Sequence, residues 1–507
     1  MTQGILPFKY EKEKQKSNMT GFGGLPVYLD LAHVVGLSKL IEEHVGVRTG
    51  QGWTDSQVIM SLVLLNLAGG DCVEDLNRLE EDAGFCKVLN RTQIHRMSRP
   101  ERRALERRWR KEKRRSVPSP SSVFRYLSAF YDSAQEDLRE TGKAFIPAAN
   151  KHLRGFAKVN RDFLSFVQKH RQEKTATLDM DATLVETSKS EASFCYDGFR
   201  SYQPLNTWWF EQGIIVHTEF RDGNVPAGYE QLRVFKEALE CLPEGIETVR
   251  LRSDTAGYQH NLLKYCDMKE NKRFGRIEFA LGCDVTQAFK KAVLEVPDSE
   301  WTRLTRKVKG KEIETKKEWA EVCFVPSAIG HSKKGPEYRY IATRELMYEQ
   351  LNFPGMADNK EYPFPTVGMD TKKYKVFGIV TNMDWDGQKL IPWLYKRCGK
   401  SEEAHSLMKN DLAGGKLPTN DFGSNAAWWW IMILALNLNA AMKRLVLGKS
   451  WVPKRMKAIR FHLINLPARV MERSRELFIR LQRNHPCFDW LIMIREKIGL
   501  LASASPR

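Results

Sequence analysis

The spacing of apolar residues changes along this chain and divides it into regions of different predicted structure. Residues 24–95 repeat apolar side chains at a spacing near 3.6, which predicts amphipathic helices. Within 175–285 the apolar runs become short or alternating and are separated by turn residues, which predicts strands mixed with helices. Residues 299–345 alternate charged with apolar side chains, as in an antiparallel sheet with one solvated face. Beyond residue 389 the pattern is again mostly helical.

Two segments in the last part of the chain have patterns that predict a helix. The run 426–436, AAWWWIMILAL, stops well short of the roughly 20 residues that span a bilayer, so it predicts a buried helix rather than a membrane anchor. Residues 466–484, LPARVMERSRELFIRLQRN, predict an amphipathic helix with a basic face. Residues 443–507 hold fifteen Lys/Arg and four Asp/Glu, so this end of the chain is strongly basic.

The charge of the chain favours a polyanion as its partner. The formal net charge is +18, and a surplus of this size attracts phosphates and releases their counterions. Residues 99–116 concentrate ten Lys/Arg against three Glu, either as a solvated helical face or as a phosphate contact through Arg107, Arg108 and Arg110. The nine cysteines show no CxxC pair, which argues against a structural zinc site and against a disulfide framework.

Aspartates occur where an apolar strand would not ordinarily carry them. In TLDMDATLVET, Asp179 and Asp181 share one face of a predicted strand, although two carboxylates side by side repel each other. Asp254 closes the predicted strand TVRLRSD, and Glu402 lies where a helix begins. Asp254 could equally be a helix cap and Glu402 a solvent-facing residue. Together, however, these carboxylates are the oxygen ligands that two Mg²⁺ ions prefer, with Mn²⁺ as a possible substitute.

These motifs resemble those of the DDE transposases of bacterial insertion sequences, the cut-and-paste group with a Tyr-x2-Arg-x3-Glu-x6-Lys signature. Tyr395, Cys398, Glu402 and Lys409 stand at the signature's spacing, and LDMDAT and LRSDTAGY resemble the strands of the first two acids. The resemblance covers roughly residues 20–490. Its main departure is Cys398 at the arginine position, with an arginine one residue earlier.

The resemblance implies a set of site residues. Asp181 is favoured as the first acid because it stands two residues before a threonine, and Asp179 is kept as an alternative metal ligand. Asp254 and Glu402 would complete the catalytic triad. The residues implied to contact DNA are Tyr395, Arg397, Lys409, Trp301 and Trp319. The two tryptophans could stack on a flipped base, although ordinary sheet core is the commoner role for such residues.

The resemblance also implies a fold class. We expect an α/β RNase-H-like catalytic core with a β-rich insertion, flanked by a helical N-terminal domain and a helical C-terminal region. The expected boundaries are 1–150 for N-terminal DNA binding and dimerisation, 151–285 for the first part of the core, 286–372 for the insertion, 373–445 for the second part of the core, and 446–507 for the basic helical C-terminal region.

The predicted function is therefore that of a DNA transposase. Its partners would be double-stranded DNA, both terminal inverted repeats and target DNA, and a second copy of the chain on paired ends. The location would be the bacterial cytoplasm, at the nucleoid, with no membrane contact. Two alternatives remain open at this point: an RNase-H-like nuclease without strand transfer, and a domesticated DNA-binding protein that has lost catalysis.

Overall fold

A computed structural model provides the fold for most of the chain. It describes residues 18–47, 52–95, 98–100, 102–104, 107, 115–140, 142–308, 310–326, 338–349, 362–369, 372–474 and 476–503.

Helices dominate the N-terminal third, as the apolar spacing predicts. They are α1 (Pro26–Val35), α2 (Leu37–His44), α3 (Asp55–Ala68), α4 (Leu76–Glu81), α5 (Ala83–Gln93), α6 (Pro120–Leu127), α7 (Ser133–Glu136) and α8 (Lys151–His170). Gly36 separates α1 from α2 in the left-handed conformation that glycine adopts without strain. Thr54 caps α3 in a reciprocal capping box with Gln57, so α3 has a defined start.

A ten-stranded mixed sheet forms the centre of the molecule, in the order β6-β5-β2-β7-β8-β13-β11-β10-β9, with β12 paired to β13. The strands are β2 (Thr175–Ala182), β5 (Leu205–Trp209), β6 (Ile214–Glu219), β7 (Thr248–Ser253), β8 (Glu278–Cys283), β9 (Thr302–Val308), β10 (Lys311–Val322), β11 (Arg339–Glu349), β12 (Thr366–Met369) and β13 (Lys372–Thr381). Two short strands, β3 (Val185–Glu186) and β4 (Ser201–Tyr202), pair beside it.

The first five strands of this order form a mixed parallel and antiparallel unit. β5 and β6 pair antiparallel beside β2, whereas β2, β7 and β8 are mutually parallel. The parallel strands are joined through α9 (Gln231–Cys241) and α10 (His260–Asp267). Because parallel strands run in one direction, the carboxyl ends of β2 and β7 meet at the same edge of the sheet.

The predicted β-rich insertion extends the catalytic sheet. β13 pairs antiparallel with β8 on one side and with β11 on the other, and β10 and β9 continue outward. The expected antiparallel character of 299–345 is therefore confirmed for its described residues. A short helix, α11 (Gln287–Leu294), precedes these strands.

Two long helices follow β13. α12 (Gly387–Ser406) continues as a π-helical turn through Asp411, and α13 (Phe422–Ala441) continues similarly to Leu447. Every residue of α13 is buried, so the expected buried helix at 426–436 is confirmed. The continuous helix is nevertheless longer than that run: by length and composition it could cross a membrane, but 89% of its most apolar window is buried inside the protein. The bent pair Asp55–Ala68 and Val73–Glu81 passes the same test only as one broken span.

The N-terminal helices share a core with α13. A single hydrophobic cluster runs from Leu25 to Ile498, and polar contacts reinforce it. The Tyr28 hydroxyl donates to Oδ1 of Asn439 at 2.8 Å, and the backbone N–H of Ala413 donates to Oδ1 of Asn66 at 2.9 Å. The expected boundary near residue 150 is therefore not a break in packing, because helices on both sides of it bury their apolar faces together.

The C-terminal region departs from its predicted helix. Within 466–484 the chain forms a hairpin of β14 (Ala468–Arg473) and β15 (Glu476–Arg480), and β14 pairs with β1 (Met19–Thr20). The expectation of an amphipathic helix there was wrong, because pairing with a strand from the opposite end of the chain overrides local helix propensity. Helices do occur on either side, as α14 (Met456–Ile459) and α15 (Phe488–Ser503).

Candidate active site

The register of β2 against β7 places the candidate acids in two successive rungs. Asp179 lies opposite Arg252 in this parallel pair. These two residues are 73 positions apart, and so are Asp181 and Asp254. Continuing the register by two residues, to just beyond Ser253 at the end of β7, therefore places Asp181 beside Asp254. We call the Asp179–Arg252 pair, an acid and a base, the first rung, and the Asp181–Asp254 pair, two acids, the second rung.

The first rung is a buried ion pair. Nε and Nη2 of Arg252 donate to the two carboxylate oxygens of Asp179 at 2.6 and 2.8 Å, and both side chains are buried. The guanidinium also lies 4.5 and 4.8 Å from the ring centres of Phe210 and Trp393, and its Nη1 donates to the Trp393 carbonyl at 2.5 Å. Burial raises the pKa of Asp179, although the hydrogen bonds from Arg252 act in the opposite direction. Because Arg252 engages both oxygens, the alternative assignment of Asp179 as a metal ligand does not fit this geometry.

The second rung is more open. The Asp181 side chain is 22% exposed, and its Oδ2 lies 3.1 Å from Nη1 of Arg397, which α12 supplies. Arg397 itself is buried, with its side chain 8% exposed. The sequence suggested that Arg397 might contact DNA phosphate, but in this structure its guanidinium faces the first acid. Asp181 is thus the accessible member of the aspartate pair.

Asp254 combines a capping role with a position in the second rung. Its Oδ1 accepts the backbone N–H of Ala256 at 3.0 Å, which stabilises the turn that follows β7. The Ser253 hydroxyl bonds the Met180 carbonyl at 3.2 Å and so ties the two strand ends together. The cap that the sequence allowed is therefore present, and Asp254 is also half-buried beside Asp181.

The end of α12 and the π-helical turn after it carry two more signature residues, Glu402 and Lys409. Glu402 is exposed near the C-terminal end of α12, so the expectation that a helix begins at this residue was wrong: the helix already begins at Gly387, capped by Asp386. Nζ of Lys409 donates to the Leu184 carbonyl at 3.0 Å, three residues after Asp181, and burial lowers the Lys409 pKa. Burial, followed by the charges of Lys409 and Arg397, lowers the pKa of His405 to about 4, so its imidazole is neutral near pH 7. Neither His405 nor the Asp181–Arg397 pair was identified from the sequence.

The three acids do not form a compact group of ligands around a single point. Among the described residues, the only group of three potential ligand atoms lying within 4.8 Å of one another is Asp71, Cys72 and Asp75. Asp71 of that group is already paired with Lys416 at 2.6 Å. The carboxylates of Asp181, Asp254 and Glu402 offer the right chemistry for hard cations, and the ligands of two separate ions need not all lie that close together.

Tyr395 belongs to a partly exposed surface that we call the lysine–aromatic face, formed by Lys317, Phe364, Lys375, Phe377 and Tyr395. Lys317 Nζ lies 4.8 Å from the ring centre of Tyr395, and Lys375 Nζ lies 4.2 and 5.0 Å from those of Phe364 and Phe377. Phe377 is 40% exposed. This interleaving of cations with aromatic rings was not identified from the sequence, because its members come from separate strands and a helix.

The two tryptophans proposed to stack on a base lie inside the protein instead. Trp301 and Trp319 are each only 9% exposed. The guanidinium of Arg344 covers the Trp301 ring at 4.2 Å, and Gly387 at the start of α12 packs directly against the Trp319 ring. Their role as ordinary core residues, which the sequence also allowed, fits this burial, and a stacking role does not.

The basic run of the N-terminal region is only partly visible. Arg107 is exposed, whereas Arg108 and Arg110 lie outside the described residues. A separate cavity of about 630 Å³ lies between α8, α9 and β6, with His217 and Trp430 in its wall. Neither Asp181, Asp254 nor Glu402 lines that cavity, so it is distinct from the acidic site.

Comparisons with known proteins identify the family of this chain. Residues 13–503 match the family described as transposase DDE domain group 1. A piggyBac transposase synaptic complex with hairpin DNA is similar in structure, with a TM-score of 0.42 and 11% identity over 86% of this chain and 78% of that one. The comparison with curated proteins gave no match. Since the family match spans nearly the entire sequence, the chain belongs to the DDE-domain transposases.

Proposed function

We propose that this protein cuts the ends of a DNA element and joins them to target DNA at the acidic rung formed by Asp181 and Asp254, with Glu402 as the third acid. The observation that carries the proposal is the register of β2 and β7, which puts two acids at neighbouring strand ends beside a helix that carries a third. The family match and the net charge of +18 support a DNA substrate.

The donor set fits divalent metal, preferably two Mg²⁺ ions. All three side chains offer carboxylate oxygens, the ligands that Mg²⁺ favours, and Asp181 is partly open to solvent. When bound, two such ions would activate the attacking oxygen and offset charge on the leaving oxygen of a phosphodiester. Asp181, Asp254 and Glu402 would hold them.

The surrounding residues would position DNA and the acids. Lys409 anchors the segment after β2 through the Leu184 carbonyl and so fixes the distance between the end of α12 and Asp181. The Tyr395 hydroxyl lies 3.1 Å from that of Thr343, which holds the aromatic ring beside Lys317 at the edge of the insertion. This face of lysines and aromatic rings would bind the DNA on its way to the acids.

The function has a direct biochemical test. Purified protein and Mg²⁺ are incubated with DNA that carries the terminal repeats flanking its coding region, and separately with a precleaved end and a target plasmid. We expect cleavage in the first reaction and covalent joining in the second. Cleavage without joining would instead support the nuclease, and neither activity would support a DNA-binding protein that has lost catalysis.

Replacing Phe377 with alanine is expected to weaken binding of DNA with unpaired bases. An exposed ring flanked by lysines can stack on a base, and such a contact contributes about 1–3 kcal/mol, or roughly a fivefold to hundredfold change in Kd. The measurement is fluorescence anisotropy with a labelled dT oligonucleotide and with a duplex that has a frayed end, in EDTA.

Leu346→Ala is the matched control for this prediction. Leu346 is 45% exposed on β11 of the same sheet, but it pairs with Tyr374 and so lies on the opposite face from Phe377. The Leu346→Ala variant should bind the dT oligonucleotide and the frayed duplex with the same affinity as wild type. If both variants lose the same amount of DNA affinity, or if Phe377→Ala loses none, the lysine–aromatic face does not bind DNA.

A further inference from the structure

Arg397 supplies a positive charge to the second rung. In the first rung, Arg252 neutralises Asp179 completely. The second rung places Asp181 and Asp254 side by side, and Arg397 brings a cation to within 3.1 Å of Asp181. In the absence of metal, a guanidinium from α12 thus offsets part of the repulsion between two neighbouring carboxylates.

Arg397 is held less completely than Arg252. Its Nε is buried and has no hydrogen-bond partner among the described residues. A buried guanidinium nitrogen without a hydrogen-bond partner costs free energy, so a further acceptor would stabilise this arrangement. The carboxylate it faces is partly solvent-accessible, whereas Asp179 is closed off. The contact between Arg397 and Asp181 is therefore one that another ligand of Asp181 could replace.

We propose that Arg397 is a positioning residue that holds Asp181 before metal is bound and competes with metal for that carboxylate. This inference rests on the proposed function, since it concerns the same acidic site. On metal loading, Arg397 would leave Asp181 and its planar fork of donors would become available to a DNA phosphate. The resemblance to the signature assigns phosphate contact to position 398. In this chain the arginine lies one residue earlier, at Arg397, and it contacts Asp181.

The environment of His405 is consistent with this assignment. Its pKa is lowered mainly by burial and then by the charges of Lys409 and Arg397, so Arg397 acts as a positive charge in this part of α12. Replacing the Arg397–Asp181 contact by a metal ion would exchange one positive charge at Asp181 for two.

The test measures Mn²⁺ binding to the DNA-free protein through the electron paramagnetic resonance signal of free Mn²⁺. Arg397→Gln removes the competing charge, so the variant should bind Mn²⁺ roughly threefold to tenfold more tightly than wild type. Arg455→Gln is the control, because Arg455 pairs with Asp411 at 2.7 Å, outside the acidic site. It should leave the affinity unchanged.

Asp181→Asn separates failure of this inference from failure of the proposed function. The variant should lose this Mn²⁺ site, and adding Arg397→Gln to it should have no further effect, even if Asp71, Cys72 and Asp75 bind an ion elsewhere. If Asp181→Asn leaves Mn²⁺ binding intact, the proposed metal site is wrong. If it removes binding but Arg397→Gln does not tighten it, only the role of Arg397 is wrong.

A second variant, which keeps the positive charge, allows the test to be made even if the first variant misfolds. Should Arg397→Gln fail to fold by circular dichroism, Arg397→Lys is used in its place. Lysine lacks the guanidinium fork, so its contact with Asp181 is weaker and Mn²⁺ should bind at least as tightly as in wild type. Weaker binding in this folded variant would overturn the proposal, because it would mean that Arg397 supports the metal site rather than competing for it.

Discussion

Asp254→Asn is expected to abolish Mg²⁺-dependent cleavage of the element's ends while leaving their binding intact. Asparagine preserves the side chain's shape and its capping oxygen toward Ala256, but it removes the negative charge that a divalent cation needs. Loss of one charged ligand in a two-metal site should slow cleavage at least ~1000-fold, equivalent to about 4 kcal/mol in the activation barrier.

The control for this variant separates chemistry from folding. Gel-shift affinity for end DNA in EDTA should match wild type within about twofold, because Asp254 contributes no positive charge to the DNA-binding surface. Cleavage at more than a tenth of the wild-type rate would exclude Asp254 from the catalytic triad. Loss of both binding and cleavage would indicate that its capping role dominates.

Arg252→Met is expected to be the most destabilising single change in the site. It leaves the buried Asp179 carboxylate without the cation that bonds both of its oxygens. Breaking a buried pair by removing one partner costs about 3–5 kcal/mol, whereas removing both partners together can be nearly neutral. The double variant Asp179→Leu/Arg252→Met should therefore recover much of the lost stability, as measured by the midpoint of urea unfolding.

The same double variant tests the division of labour between the two aspartates. If Asp179 is structural, the refolded double variant should retain measurable Mg²⁺-dependent cleavage despite lacking that carboxylate. Complete loss of cleavage in a stable double variant would return Asp179 to the list of metal ligands. A single variant as stable as wild type would contradict the energetic role assigned to the pair.

The catalytic strands were predictable because their local pattern and their tertiary environment agree. β2, β6, β7 and β8 appear where apolar runs bounded by turn residues predict them. The pairing of Asp179 with Arg252 was missed, although a signal exists in the sequence. Each strand carries a charged residue two positions before its acid, Asp179 before Asp181 and Arg252 before Asp254, and parallel alignment of the two motifs makes them partners.

Other features depend on contacts that are distant in sequence. The C-terminal hairpin forms because Met19–Thr20 supplies a partner for β14 some 450 positions away. Trp301 looks accessible in an alternating charged segment, but Arg344 from another strand covers its ring. The position of Arg397 against Asp181 depends on where α12 crosses the sheet, which no local pattern specifies.

The most direct test of the central claim is a change of metal specificity at the second rung. Asp181→Cys and Asp254→Cys replace a hard oxygen ligand with a softer sulfur, which binds Mg²⁺ poorly and accepts Mn²⁺ better. End cleavage by both variants should be lost in Mg²⁺ and partly restored in Mn²⁺, with end binding unchanged. Wild-type rates in Mg²⁺, or loss of cleavage in both metals by variants that fold and bind DNA normally, would contradict the assignment of Asp181 and Asp254 as metal ligands.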